Sequence, residues 1–392
     1  MNNSELFISI YHREPQEVVF TPYRICPLGA HVDHQLAAIT GFAIDKGIHI
    51  AYGPKENGVI ELHSAQFEGR AQWHVSSVPM APVGDWADHL RGATIALGRR
   101  FALRRGLCAV VYGELPIGGL SSSAAVIITF LSALSKINNI SLSQSEIISL
   151  ALEAENKYVG VSCGKLDQCC EVYCRKDKLL YMDLKTDEYQ LLEAPKSMKP
   201  YKIAIFFSGV ERSLAGSRYN ARVDEAKAAA YALLAFEGIE YGKFSDVRLT
   251  DVPRELFDKH GDRLPADWKK RATHFYTECD RVKLGVEAWK NGDIEAFGKL
   301  VFESGKSSIE QWETGSDELK ALYEIMTKTD GIYGGRFSGA GFKGCCMAII
   351  DPEKQESIVE KVRSEYIARF PHLADKFSAH ICDTADGVVI ED

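Results

Sequence analysis

Apolar and polar positions along the chain change period several times, and each change marks an element. Strand-like, apolar or β-branched runs occupy Val18–Phe20, Gly47–Tyr52, Gly58–His63 and Leu107–Tyr112, with short turn signals between them. This spacing predicts a sheet in the first third. A helix-length apolar run follows at Val126–Ile137. Ser143-Gln144-Ser145-Glu146 reads as a capping box, because Ser and Glu three apart satisfy each other's backbone donors. Apolar Ile147, Ala151, Ala154 and Tyr158 then continue at helical spacing, and Gly160 supplies the stop. A second strand group covers Leu179–Met182, Tyr189–Leu192 and Ile203–Phe207, with a linker-like Ala194–Pro200 between the last two.

From Tyr219 onward the period is mostly helical, at Tyr219–Phe236, Trp268–Trp289 and Ile294–Glu303. Strand-like Ile332–Phe337 and Cys345–Ile350 precede a helix from Pro352 and a last strand near Ala379. Helices and strands interleaved in both halves predict an α+β chain. We expect two domains, 1–198 and 199–392.

Composition narrows the class. The chain has 392 residues, 46% of them hydrophobic and 26% charged, enough for a sizeable core. A net charge of -8 argues against non-specific binding to nucleic acid or anionic membranes. Met1–Pro15 carries no signal-peptide core. The longest apolar run, Ala124–Leu134, is interrupted by Thr129 and Ser132 and is too short to span a bilayer. Ten cysteines include the neighbours Cys169–Cys170 and Cys345–Cys346 but no Cys-x-x-Cys pair, which predicts reduced thiols in a cytoplasmic protein rather than a zinc site.

The most informative stretch is Leu115–Ala125, read Leu-Pro-Ile-Gly-Gly-Leu-Ser-Ser-Ser-Ala-Ala. It lies where a strand turns into a helix. A helix N-terminus leaves N–H groups unpaired and carries the positive end of the helix dipole, so it attracts anions. Glycines let the backbone approach a phosphate closely, and serine hydroxyls add donors or a metal ligand. The same residues also suit an ordinary turn with a serine N-cap. The Gly-Lys-Ser/Thr ending of a Walker loop is absent.

Three other constellations stand out. Tyr23–His34 gathers Arg24, His31, Asp33 and His34 into a short loop-like stretch. A metal site is one reading, but Gly29 stands where the nearest metallohydrolase pattern needs a histidine; a polar binding loop fits better. Gly164-Lys165-Leu166-Asp167-Gln168 offers an acid near such a loop, suited to accept a proton. Glycines at 331, 334, 335, 339, 341 and 344 predict a flexible loop able to cover a phosphate, or a plain hairpin.

Taken together and in order, these segments resemble the GHMP small-molecule kinases, and within them the galactokinase branch. Arg24–His34, Pro116–Ala125 and Ser338–Gly344 are similar to the family's three motifs, and Gly164–Gln168 to its Gly-Ile-Met-Asp-Gln segment. Arg24–His31, Ser64–Gly69 and Arg336–Cys346 look most like galacturonokinase. The resemblance implies a ribosomal-protein-S5-like N-terminal domain and a ferredoxin-like C-terminal domain with the site between them. It implies ATP as phosphate donor, Mg2+ as cofactor and the anomeric hydroxyl of D-galacturonate as acceptor. By the same resemblance Asp167 is the catalytic acid, and Arg24 holds it ionised and steadies developing charge. Gly118, Gly119, Leu120, Ser121, Ser122, Ser123 and Ala124 correspond to the ATP phosphate loop. Ser123 and Glu155 match magnesium ligands, while Ala30, His31, Asp33 and Tyr219 fall at sugar-contacting positions.

Departures bear on the substrate. Galactokinases place Glu where this chain has Ala30, facing carbon 6 of the sugar. Galacturonate carries a carboxylate there, so alanine removes a like-charge repulsion. Arg212, Arg218 and Lys343 are candidates to meet that carboxylate. The phosphate loop has one glycine fewer than is usual in galactokinases, Leu36-Ala37 replaces a common glycine pair, and Lys165 replaces an apolar residue and could touch phosphate or carboxylate. The alternatives are activity on galactose or glucuronate, or a non-catalytic sugar sensor. The intact Ser-Ser-Ser-Ala-Ala run argues against a sensor. A monomer or small homo-oligomer without nucleic-acid or membrane partners completes the expectation.

Overall fold

The computed structural model describes residues 3–210 and 215–388, with the side chains of 215–218 left out. The first half opens with α1 (Asn3–Tyr11) and strands β1 (Glu17–Ile25), β2 (Ile39–Lys55), β3 (Val59–Ser64) and β4 (Arg70–His74). Helix α2 (Asp88–Arg100), strand β5 (Gly106–Gly113), and helices α3 (Ser122–Ile137), α4 (Gln144–Glu153) and α5 (Leu166–Tyr173) follow. Strands β6 (Lys178–Met182) and β7 (Tyr189–Glu193) close this half. The second half runs β8 (Lys202–Phe207), α6 (Ala215–Phe236), α7 (Arg254–His260), α8 (Ala266–Lys290), α9 (Ile294–Glu310) and α10 (Asp317–Thr327). It ends with β9 (Ile332–Phe337), β10 (Cys345–Ile350), α11 (Gln355–Arg369), β11 (Ser378–Cys382) and β12 (Thr384–Ala385).

Two sheets organise these elements. The first has the order β4-β3-β5-β2-β6-β7, with β1 and β12 also pairing along the long β2. The second is antiparallel, in the order β11-β8-β10-β9. The chain's end returns to the first half through β12, and the Val388 N–H then donates to the Glu171 carbonyl at 2.8 Å. Helix α3 has Ile127, Ile128, Phe130, Leu131 and Leu134 fully buried, as its largely apolar run requires. Among the described residues no helix is long and apolar enough to cross a membrane, and the ten cysteines are free thiols.

Local signals are realised closely. Ser143 accepts from the Glu146 N–H while the Glu146 carboxylate accepts from the Ser143 N–H, and α4 starts there. The helical spacing through Tyr158 continues as a π-helical turn, Ala154–Val159, before Gly160 ends it at φ +86°. Of the two readings of the glycine-rich segment, the structure realises the hairpin, with β9 pairing antiparallel to β10. Gly334 and Gly335 lie inside β9, where a Cβ on Gly334 would come within 2.2 Å of the Gly298 carbonyl on α9. These glycines serve a close strand-to-helix approach, and the loop itself is confined to residues after Phe337.

Candidate active site

Strand β1 carries a register shift between Pro22 and Arg24 where it pairs with β2. A bulge re-aims the side chain beside it. Here the buried Arg24 guanidinium reaches Asp167, in the first turn of α5, with Nε and Nη2 each 2.7 Å from Oδ1. Its Nη1 donates to the Gly119 carbonyl at 3.0 Å. Burial alone would disfavour the Arg24 charge, but Asp167 beside it more than compensates and lifts its pKa above the ordinary value.

Between β5 and α3 the chain makes a tight corner, with Gly118 and Gly119 at φ +126° and +90°. Ser121 precedes α3 in the left-handed region, at φ +59°, and its side chain makes no cap bond. Its hydroxyl is buried without a partner. An ordinary serine N-cap sits in extended backbone and bonds the first turn, so this corner is not one. It leaves the α3 N-terminus open to an anion in a cleft of about 610 Å³.

Asp167, Arg24, Gly118, Gly119 and Ser121–Ser123 line this single cleft together with Ala30, His31, Asp33, Glu155 and Tyr219. Of the expected site residues, Leu120 and Ala124 are buried behind this corner. Glu155 lies on the π-helical turn, a feature that often marks a functional site. Its carboxylate is hydrogen-bonded by Ser123 and, at 2.5 Å, by Gln168 Nε2. Burial, and then the charge of Asp167, push the Glu155 pKa up to about 7. Asp33 is similarly raised to about 6, first by burial and then by Asp167. Gly164 allows this crowding, since a Cβ there would lie 2.5 Å from Asp33.

The Gly29–His31 turn is held from the other half of the chain. The Gly29 N–H donates to Glu278 Oε1 at 2.8 Å, and His274 Nε2 lies 3.0 Å from the Ala30 carbonyl. His31, at φ +61°, stacks on Trp312 at 5.4 Å between ring centres and 8° between planes. Tyr219 meets His34 edge-on. Glu278 also accepts from Ser304 at 2.6 Å and pairs with Arg281 and the fully buried Arg336. His274, Glu278 and Trp312 were not among the expected site residues. Phe67 and Trp86 were missed as well; their stacked rings line the same cleft, 6.3 Å apart.

One expectation changes. Lys165 is not among the residues lining the cleft; its ammonium pairs with Asp187 at the β6–β7 turn. Arg212 and the Arg218 side chain lie outside the described residues, which leaves Lys343 as the candidate cation seen lining the cleft.

Comparison with known proteins agrees with this architecture. Residues 88–175 match the GHMP kinases N terminal domain and residues 286–368 the GHMP kinases C terminal domain. The chain is 38% identical to galacturonokinase of Arabidopsis thaliana, over 94% of this chain and 92% of that protein. It is 30% identical to galactokinase of Thermococcus kodakarensis, over 95% and 99%. The structure of Lactococcus lactis galactokinase complexed with galactose superposes with a TM-score of 0.89 at 25% identity, covering 99% and 98% of the two chains. The expected two-domain fold is therefore the one observed, and the chain belongs to the GHMP kinases, among the galacturonokinases and galactokinases.

Proposed function

We propose that this kinase transfers the γ-phosphoryl group of ATP to the anomeric hydroxyl of D-galacturonate, yielding α-D-galacturonate 1-phosphate. The carrying observation is the double engagement of Arg24, which ties Asp167 to the Gly119 carbonyl and so fixes an acid beside the phosphate corner. The 38% identity to a galacturonokinase and Ala30 at the carbon 6 position support the sugar acid as acceptor.

In the reaction the sugar's anomeric oxygen attacks the γ-phosphorus. The bond from that phosphorus to the β–γ bridging oxygen breaks, and its electron pair stays on ADP. The hydroxyl proton passes to the Asp167 carboxylate. Such transfers are governed by positioning and charge neutralisation. Asp33, His31 and Tyr219 orient the sugar ring. The corner's N–H groups and the Ser121 hydroxyl hold the phosphates, and the Phe67–Trp86 pair offers the base a flat apolar surface. Ser123 and Glu155 form a hard oxygen pair, hydrogen-bonded to each other, that fits Mg2+. When bound there, Mg2+ would neutralise phosphate charge.

We assign 1–198 and 199–392 as the domains. A cytoplasmic location is part of the proposal, supported by ten free thiols. The test is turnover by purified protein with ATP and Mg2+ on galacturonate, glucuronate and galactose, with the product identified by 31P NMR. Galacturonate should be preferred. Strong turnover of galactose with none of galacturonate would reject the assigned substrate, and no ADP release with any sugar would reject the kinase reading.

A further inference from the structure

The segment after β9 closes onto the phosphate corner. Gly339 and Gly344, at φ +68° and +94°, bring its backbone into contact with the corner's glycines. A Cβ on Gly344 would come within 2.5 Å of Gly118, and one on Gly339 within 3.0 Å of Gly119. The segment is pinned on both sides of Lys343. The Gly344 carbonyl accepts from both the N–H and hydroxyl of Ser208 at 2.9 Å, and the Gly315 N–H donates to the Gly341 carbonyl at 2.8 Å. Phe342 is buried, with the Arg222 guanidinium 5.8 Å from its ring centre. Lys343 therefore stands on a fixed backbone and lines the cleft alongside Gly118, Gly119 and Ser121–Ser123.

Charge gives this placement its meaning. Among the described residues lining the cleft, the lysines and arginines are Arg24 and Lys343. Asp33, Glu155 and Asp167 stand on the same walls. A triphosphate entering this space adds further negative charge, while the α3 N-terminus offers only about half a positive charge. A lysine supplies a compact full charge that can follow a phosphate group as it moves.

We propose that Lys343 is a catalytic residue that binds the β- and γ-phosphates of the nucleotide and stays on the transferring phosphoryl group. This rests on the reading of the corner as an ATP site. The competing anion is the sugar acid's carboxylate. Placement favours phosphate: the residue next to Lys343 touches Gly118, whereas Ala30 and His31 are held from His274 and Trp312.

The test compares wild type, Lys343→Met and Lys343→Arg by calorimetric titration with ATP, ADP and AMP and by steady-state kinetics on galacturonate and galactose, with melting curves as a folding control. Lys343→Met should weaken ATP by about ten- to a hundredfold. ADP should weaken less and AMP not at all, Lys343→Arg should recover most of the loss, and KM for either sugar should stay put. Unchanged ATP affinity and kcat in Lys343→Met would overturn the proposal. So would a rise in KM for galacturonate alone, which would assign Lys343 to the carboxylate. Wild-type protein that binds no ATP would instead overturn the underlying reading of the corner.

Discussion

Arg24 places Nε and Nη2 at the same 2.7 Å distance from one oxygen of Asp167, leaving Oδ2 without a share in that fork. One oxygen is held, and the other stays outside that fork, where the proposed reaction needs a proton acceptor. Asp167→Asn keeps the shape but removes the proton acceptor. We expect kcat to fall by about 10²- to 10⁴-fold, with KM for both substrates within a few-fold of wild type. Arg24→Lys should also be slow, because an ammonium cannot fork to Asp167 and Gly119 together. Initial-rate kinetics check both. Near-wild-type turnover by Asp167→Asn would remove it from the chemistry.

The contact between the phosphate corner and the β9–β10 segment is backbone against backbone. Gly344→Ala would drive a methyl group to within 2.5 Å of Gly118, at a φ of +94° that side chains rarely adopt. Neither side can retreat as a flexible side chain would. The expected result is a stability loss of about 1–3 kcal/mol and weaker ATP binding through a displaced corner. Thermal melting and nucleotide titration measure the two effects. An unchanged ATP affinity would mean the corner holds its shape without this contact.

Much of the site was legible where its signal was local. The Gly-Gly-Leu-Ser-Ser-Ser corner and the Ser143–Glu146 box are short-range chemistry, written in adjacent residues. Glu278 shows the limit. Its partner at Gly29 is 249 residues away, and its place within α8 resembles any mid-helix glutamate. Gly334 and Gly335 allowed two readings, inside the strand-like Ile332–Phe337 and among the glycines of a loop, because glycine serves both turns and close packing, and only the nearby Gly298 decides for the strand. Lys165 next to Asp167 suggested a ligand contact, but the hairpin bearing Asp187 could not be placed beside it from sequence.

Glu278 also predicts an acid-side stability effect. Burial alone would raise its pKa, but Arg281, His274, Arg336 and the Ser304 hydrogen bond bring it down to about 2. In the unfolded chain it titrates near 4.3. The depressed value means the unfolded state binds the proton more tightly. The stabilisation is therefore complete above about pH 5 and is lost as pH falls toward 2. Glu278→Gln should destabilise by about 3–5 kcal/mol at neutral pH, because the buried Arg336 loses its counter-charge. Its melting temperature should also fall less steeply than wild type below pH 5. Parallel melting curves across that range would show that Glu278 carries no such charge.

Ala30 offers the sharpest test of substrate choice. Its side chain lines the cleft, and its carbonyl is fixed by His274 at 3.0 Å, so a longer residue there extends into a defined place. Ala30→Glu would set a carboxylate against the substrate's own. Two such charges about 4 Å apart repel by about 4 kcal/mol at an effective dielectric near 20, roughly a thousandfold in affinity. Galactose carries no charge at that carbon and should be spared most of this loss. Ala30→Gln adds nearly the same bulk without the charge. If repulsion is the cause, Glu should impair galacturonate far more than Gln does, while the two should affect galactose alike. Equal losses on galacturonate from both variants would assign the effect to volume, and the residue at position 30 would then select size rather than charge.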